Sequence, residues 1–163
     1  MAKKRDQSAG TPATTALTRA GVEFGVHPYD HDPAAASYVL EAAEALGVAP
    51  AQVFKTLLVD SGTGLAVGIV PVDRQLDLKA VAAALGWKKA AMADPAAAER
   101  STGYVVGGIS PVGQKRALPT VLDATAQGFQ RVYVSGGRRG LDISLAPADL
   151  LRVTKGLLSE ISR

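Results

Sequence analysis

Two apolar runs, VFKTLLV at Val53–Val59 and LAVGIVPV at Leu65–Val72, stand either side of the short polar stretch Ser61–Gly64, SGTG. Strand-length apolar runs joined by a glycine-bearing turn read as a β-hairpin. Alternate residues of a strand share a face, so Lys55 lies beside Val53, Leu57 and Val59, while Phe54, Thr56 and Leu58 point the other way. By composition neither face is a solvent face, and the hairpin is therefore expected inside the protein. Burying an unpaired ammonium there is costly. Two readings stay open: Lys55 marks a strand end and snorkels to water, or a core strand delivers a cation into a cleft.

The rest of the chain supplies helices to cover such a sheet. Thr11-Pro12 is an N-cap followed by proline, and Gly21 a stop, which predicts a helix over Pro12–Ala20. Val22, Phe24 and Val26 alternate against Glu23 and Gly25, a strand pattern. Ala34–Leu46 is helical, with Val39, Ala43 and Leu46 on one stripe and Gly47 closing it, and Pro50 begins a short helical turn. Asp77 caps a helix with Leu78, Val81 and Leu85 inward and Gly86 as the stop. Asp94-Pro95 starts a short helix toward Arg100. TVLD, RVYVS and LDISL are three further strands, and Pro147 opens a last helix to Lys155. Strands and helices alternate irregularly, which favours an α+β domain with a mixed sheet over a doubly wound parallel one. Residues 1–10 read as a disordered N-terminal lead and 11–163 as one domain.

Composition narrows the chemistry. At 163 residues, 47% hydrophobic and 20% charged, the chain can bury a good core. It has no cysteine, hence no disulfide framework, thiolate zinc site or cysteine nucleophile. No stretch approaches a membrane span, and KKR at the N-terminus has no apolar h-region after it. A cytoplasmic protein with no membrane or DNA partner is expected. A net charge of +3 permits an RNA partner without requiring one.

HPYDHDP gathers His27, Asp30, His31 and Asp32, but Pro28 and Pro33 argue against the helix that an i,i+4 histidine pair would need. It reads as a polar turn ending a strand, and no metal or other cofactor is expected. STGYVVGGISPVGQK, Ser101–Lys115, is neither a Walker loop nor a dinucleotide fingerprint. It is either a set of turns or a loop whose bare N–H groups hold a carbonyl oxygen as charge develops on it. YVSGGRRGLDI adds a second glycine turn carrying Arg138 and Arg139. The basic doublets Lys88-Lys89, Lys115-Arg116 and Arg138-Arg139 form either a phosphate-contacting rim or solvated charge. Neither histidine has a context that pairs it with a serine, so a Ser-His-Asp reading finds little support.

FKTLLV, MADPAAAERSTGYVVGGISPVGQK and YVSGGRRGLDI together resemble the YbaK family, free-standing relatives of the editing domain inserted in bacterial prolyl-tRNA synthetases. The likeness runs from about the first helix to the last and includes HPYDHDP. It implies a mixed, barrel-like sheet surrounded by helices, and a trans-editing deacylase that clears cysteine from mischarged Cys-tRNA(Pro). It further implies attack by the cysteinyl thiol on its own ester, so that no protein nucleophile is needed, and prolyl-tRNA synthetase as a partner. Residue by residue, the family's essential lysine falls on Lys55, followed by Thr56. Its pocket aromatics fall on Tyr29 and Tyr38, its glycine-loop positions on Gly107, Gly108 and Ser110, and its last turn on Ser135, Gly137 and Asp142. Arg138, Arg139 and Lys115 are possible tRNA contacts. The alternatives are a sister deacylase for another small amino acid and a non-catalytic tRNA- or synthetase-binding module.

Overall fold

The structure, a computed structural model, describes residues 10–31 and 38–163; of Tyr38 and Val39 it describes the backbone alone. The expected lead, Asp32 and Pro33 of the polar turn, the first residues of the second helix and the side chain of Tyr38 lie outside the described residues.

Helix α1 spans Pro12–Arg19. Thr11 and Thr14 satisfy each other's backbone N–H groups in a reciprocal capping box, which supplies partners for otherwise orphaned helix donors. Strand β1 is Gly25–Pro28, starting later than the alternation at Val22 predicts. The reason is local: Val22 N–H donates to Leu17 C=O and so completes the end of α1. Helix α2 spans Tyr38–Leu46, and a 3₁₀ turn at Pro50–Gln52 leads into β2, Phe54–Asp60.

Strand β3, Leu65–Pro71, pairs with β2 in antiparallel register from Asp60↔Leu65 to Phe54↔Pro71, the expected hairpin. Its turn is fastened by Gly62 N–H to Asp60 Oδ1 at 2.7 Å. Helix α3, Leu78–Leu85, has Asp77 as N-cap and Gly86 as left-handed C-cap. A two-residue strand β4, Ala91–Met92, then pairs with Val59 and Asp60 of β2. Helix α4, Pro95–Thr102, runs two residues beyond Arg100. The remaining elements are β5, Thr120–Asp123, β6, Val132–Arg138, β7, Leu141–Leu145, α5, Pro147–Thr154, and β8, Leu157–Ser159.

The sheets are mixed. One has the order β4-β2-β3-β5-β8, with β5 parallel to both its neighbours; the other is β1-β7-β6, antiparallel throughout. A single parallel bridge, Val53↔Tyr133, ties β2 to β6. Among the described residues the ladders do not close into a barrel. Between the bridge at Val53 and Leu58, whose C=O accepts from Ala93 N–H at 2.9 Å, one edge of β2 has no ladder partner among the described residues, and the sheets part there.

β2 divides the interior. Phe54 and Leu58 enter the main core with Ile69, Leu122, Ile143, Leu145 and Leu150. Val59 and, less deeply, Leu57 face a second cluster with Val70, Val81 and Ile161. Ala42 and Ala43 of α2 pack on Val53 and Val72. The composition of both strand faces is thus matched by burial on both sides.

Candidate functional site

Where β2 parts from β6 the structure leaves a cavity of about 260 Å³. Residues 53–58 all line it, along with Tyr29, Gly107, Ser135 and Asp142. This resolves a tension in the sequence, since Lys55 and Thr56 belong to opposite faces of one strand. The cavity meets β2 at its unpaired edge and so takes side chains from both faces.

Lys55 is half-buried, and burial pushes its ammonium below the ordinary lysine value, partly offset by the carboxylate of Asp73. Thr56 Oγ1 is buried and makes no hydrogen bond with another described residue. The same holds for Asp142 Oδ2. Buried polar atoms are normally paired; these two are the exceptions among the described residues, and both belong to residues of the cavity wall.

Asp142 sits on β7 opposite Ser135 of β6 and His27 of β1. It is 4% exposed, and burial lifts its carboxyl from 3.8 to about 7. Tyr29 is pushed up to about 12, first by burial and then by the charge of Asp142. Its hydroxyl is therefore a donor at neutral pH. Its N–H donates to Gly140 C=O at 2.9 Å, which holds the start of the polar turn against the β6–β7 hairpin.

That hairpin is irregular. Its register shifts between Ser135 and Arg138, a bulge that absorbs the SGG motif. Gly137 has φ +111 and lies against Tyr104 and Thr11, so a side chain there meets both strain and contact. Its N–H donates to Ser135 Oγ at 3.1 Å, fixing the serine on the cavity wall.

Several expected residues support the wall from behind. Gly108 packs on the backbone of Arg138, where an added Cβ would lie 2.7 Å from its Cα. Ser110 is fully buried, and its Oγ accepts from Val112 N–H at 3.2 Å. Arg138 and Lys115 are exposed. Arg139 instead donates to Val106 C=O from Nε at 3.1 Å and from Nη2 at 2.7 Å.

The sequence reading missed the apolar wall: Met92 from β4, Pro95 and Ala98 from α4, and Val106 and Ile109. A two-residue strand such as β4 has no period to detect. It also missed His27 Nε2 with Ser144 Oγ, 2.8 Å apart across β1 and β7. Arg131 Nη1 reaches that same oxygen at 3.3 Å, and Ser144 is buried. Among the described residues no three His, Asp or Glu side chains gather as a metal site. His31 Nδ1 meets Glu41 Oε1 of α2 at 2.9 Å.

Residues 32–153 match the aminoacyl-tRNA editing domain family. The chain is similar to a protein of Enterococcus faecalis, named provisionally as a Cys-tRNA(Pro)/Cys-tRNA(Cys) deacylase, with 43% identity over 74% of each chain. It is 30% identical to a multifunctional Ser/Thr-tRNA deacylase of Escherichia coli over 60% of this chain and 59% of that one. Its fold is similar to a crystal structure assigned provisionally to a trans-editing enzyme for prolyl-tRNA synthetase. There the TM-score is 0.79 at 26% identity, over 93% of this chain and 95% of that one.

Proposed function

The chain belongs to the aminoacyl-tRNA editing domain family, and from that membership we propose that it is a trans-editing deacylase removing cysteine from mischarged Cys-tRNA(Pro). The observation that carries this is the cavity at the free edge of β2. It joins a lysine, a carboxyl, hydroxyl-bearing residues and a glycine to an apolar wall. Its volume, about 260 Å³, lies below the ~300–1,000 Å³ of sites for drug-sized ligands and suits an aminoacyl group better than a nucleotide.

In this reading residues 11–163 act as one editing domain. Lys55 meets the terminal phosphate or ribose, and Asp142 faces the α-ammonium. Tyr29, Ser135 and Thr56 line the aminoacyl group; the resemblance gives Tyr38 a further aromatic pocket position, and its side chain lies outside the described residues. Gly108, Ser110 and Gly137 hold the two glycine turns in shape. Arg138 and Lys115 contact tRNA. The chain's lack of cysteine and the buried place of Ser144 suit a reaction in which the substrate brings its own nucleophile. The cysteinyl sulfur attacks its ester carbonyl carbon, a C–S bond forms, and the C–O bond to ribose breaks. The thiol proton ends on the departing ribose hydroxyl, and the cysteine leaves as a cyclic thioester. A thiol is already a fair nucleophile near neutral pH, and the protein supplies orientation and charge stabilisation.

Prolyl-tRNA synthetase is the proposed partner, as the source of the mischarged tRNA, and the cytoplasm the proposed place of action. Among the described residues no helix is long and apolar enough to cross a membrane. The Ser/Thr-tRNA deacylase relative favours a second reading, in which a hydroxyl-bearing amino acid is the substrate. One assay separates them: release from tRNA charged with cysteine, serine or 2-aminobutyrate. Cysteine alone should be released. Equal release of 2-aminobutyrate, which lacks sulfur, would remove the thiol-assisted mechanism; preferential release of serine would favour the second reading.

A further inference from the structure

Val106 stands on the cavity wall with both of its backbone polar groups held by side chains from other elements. Its N–H donates to Glu99 Oε2 of α4 at 2.9 Å. Its C=O accepts the two bonds from Arg139, 3.1 and 2.7 Å long. Val106 is 38% exposed, so water was available to both groups and solvation did not require this arrangement. Glu99 also lies in the second half of α4, where the helix dipole disfavours an acid.

What the two side chains grip is the middle of a tight turn. Gly108 N–H donates to Val105 C=O at 2.9 Å, and Gly107, third of the four residues, has φ +93. That combination is a type II turn. Type I and type II turns differ in the orientation of the central peptide, here Val106–Gly107. In a trans peptide the carbonyl and the following N–H point in opposite directions. With the Val106 carbonyl held toward Arg139, the Gly107 N–H faces away from it. Gly107 lines the cavity and Arg139 does not, and Gly107 N–H makes no hydrogen bond to another described residue.

We infer that Arg139 is a positioning residue that locks the Val105–Gly108 turn so that the Gly107 N–H points at the reacting carbonyl oxygen. The flipped turn would place the Val106 oxygen there, a negative dipole where negative charge develops. Glu99 anchors the preceding peptide through the Val106 N–H, a fixed start to the turn, and leaves the central peptide to Arg139. This rests on the deacylase reading of the cavity, and it moves Arg139 from the possible tRNA contacts to the machinery of the loop. Arg138, its exposed neighbour, keeps the phosphate role.

The test uses the full chain with Arg139→Ala and Arg139→Lys. With Cys-tRNA(Pro), Arg139→Ala should lower kcat by about ten- to a hundredfold, below or at the loss typical of one missing oxyanion donor. KM should stay within about twofold, and the loss should be equal at low and high salt, unlike a phosphate contact. Arg139→Lys keeps one donor for the Val106 carbonyl and should recover part of kcat. A loss confined to KM that fades as salt rises would overturn the proposal and return Arg139 to tRNA binding. A readout independent of activity is the Gly107 amide resonance in the free protein. It should shift or broaden in Arg139→Ala while amides of α3 do not; an unchanged Gly107 resonance overturns the lock. If Arg139→Ala does not fold, the lysine variant decides by the same two readouts. If the parent protein releases no cysteine, the deacylase reading fails, and the Gly107 resonance still decides whether Arg139 sets the turn.

Discussion

Among the described residues Lys55 and Asp142 are the two side chains in the cavity wall that bear an amine or a carboxyl, and burial moves their pKa values in opposite directions. Both are pushed toward their neutral forms. Lys55→Ala removes a half-buried ammonium and should leave stability within about 1 kcal/mol of the parent, while deacylation is lost. Lys55→Arg should also be poor, because a planar fork does not replace a compact ammonium in a small pocket. Thermal unfolding together with the cysteine-release assay checks both; an alanine variant with the parent rate would remove Lys55 from the active site. For Asp142 the folded carboxyl titrates at about 7 against 3.8 for the ordinary group. The folded state therefore binds its proton more tightly. As pH rises from about 4 to 7 the unfolded chain ionises freely, the folded one does so only against desolvation, and stability falls across that window. Asp142→Asn should accordingly melt higher than the parent at pH 8, with the gap closing toward pH 4. A gap that widens toward low pH would mean the carboxylate is stabilised in the fold.

The elements place these residues by irregularity more than by regular pairing. β2 offers its free edge to the cavity because β4 pairs only with Val59 and Asp60. The β6–β7 bulge turns Ser135 to the wall opposite Asp142. Gly137→Ala should cost about 1–3 kcal/mol, since it combines a φ that L-residues rarely adopt with contacts to Tyr104 and Thr11. Gly128→Ala, where an added Cβ meets nothing, is the comparison, and denaturant midpoints of the two variants measure the difference. Much of this level was legible from local chemistry. The Thr11, Asp77 and Asp94 caps, the Gly86 stop and the β2–β3 hairpin fall where proline, cap residues and the apolar runs predict them. Strands β4 and β8 were not legible, because two or three residues have no period and owe their extended form to a neighbour.

At the scale of the whole molecule the charge is low, +3 in 163 residues, and the exposed members of its basic doublets, Lys88, Lys89, Lys115, Arg116 and Arg138, come from separate stretches of the chain. tRNA binding by this chain alone should be weak and should weaken further as salt rises. Arg138→Glu should reduce it, and a binding isotherm at two salt concentrations measures both effects. Affinity indifferent to salt would point to a small-molecule or protein ligand instead.

The sequence by itself determined most of the helices and longer strands, that the β2–β3 hairpin is buried, and that Lys55 is set among apolar neighbours. These follow from backbone preferences and hydrophobic period, which act over a few residues. Only the tertiary structure decided that β5 lies parallel between β3 and β8, and that β2 is open along one edge. It alone brought His27 to Ser144 and Arg139 to the carbonyl of Val106. Those pairings join residues 117 and 33 positions apart. Their partners are chosen by the packing of whole sheets, and that packing leaves no periodic trace at either end of the contact.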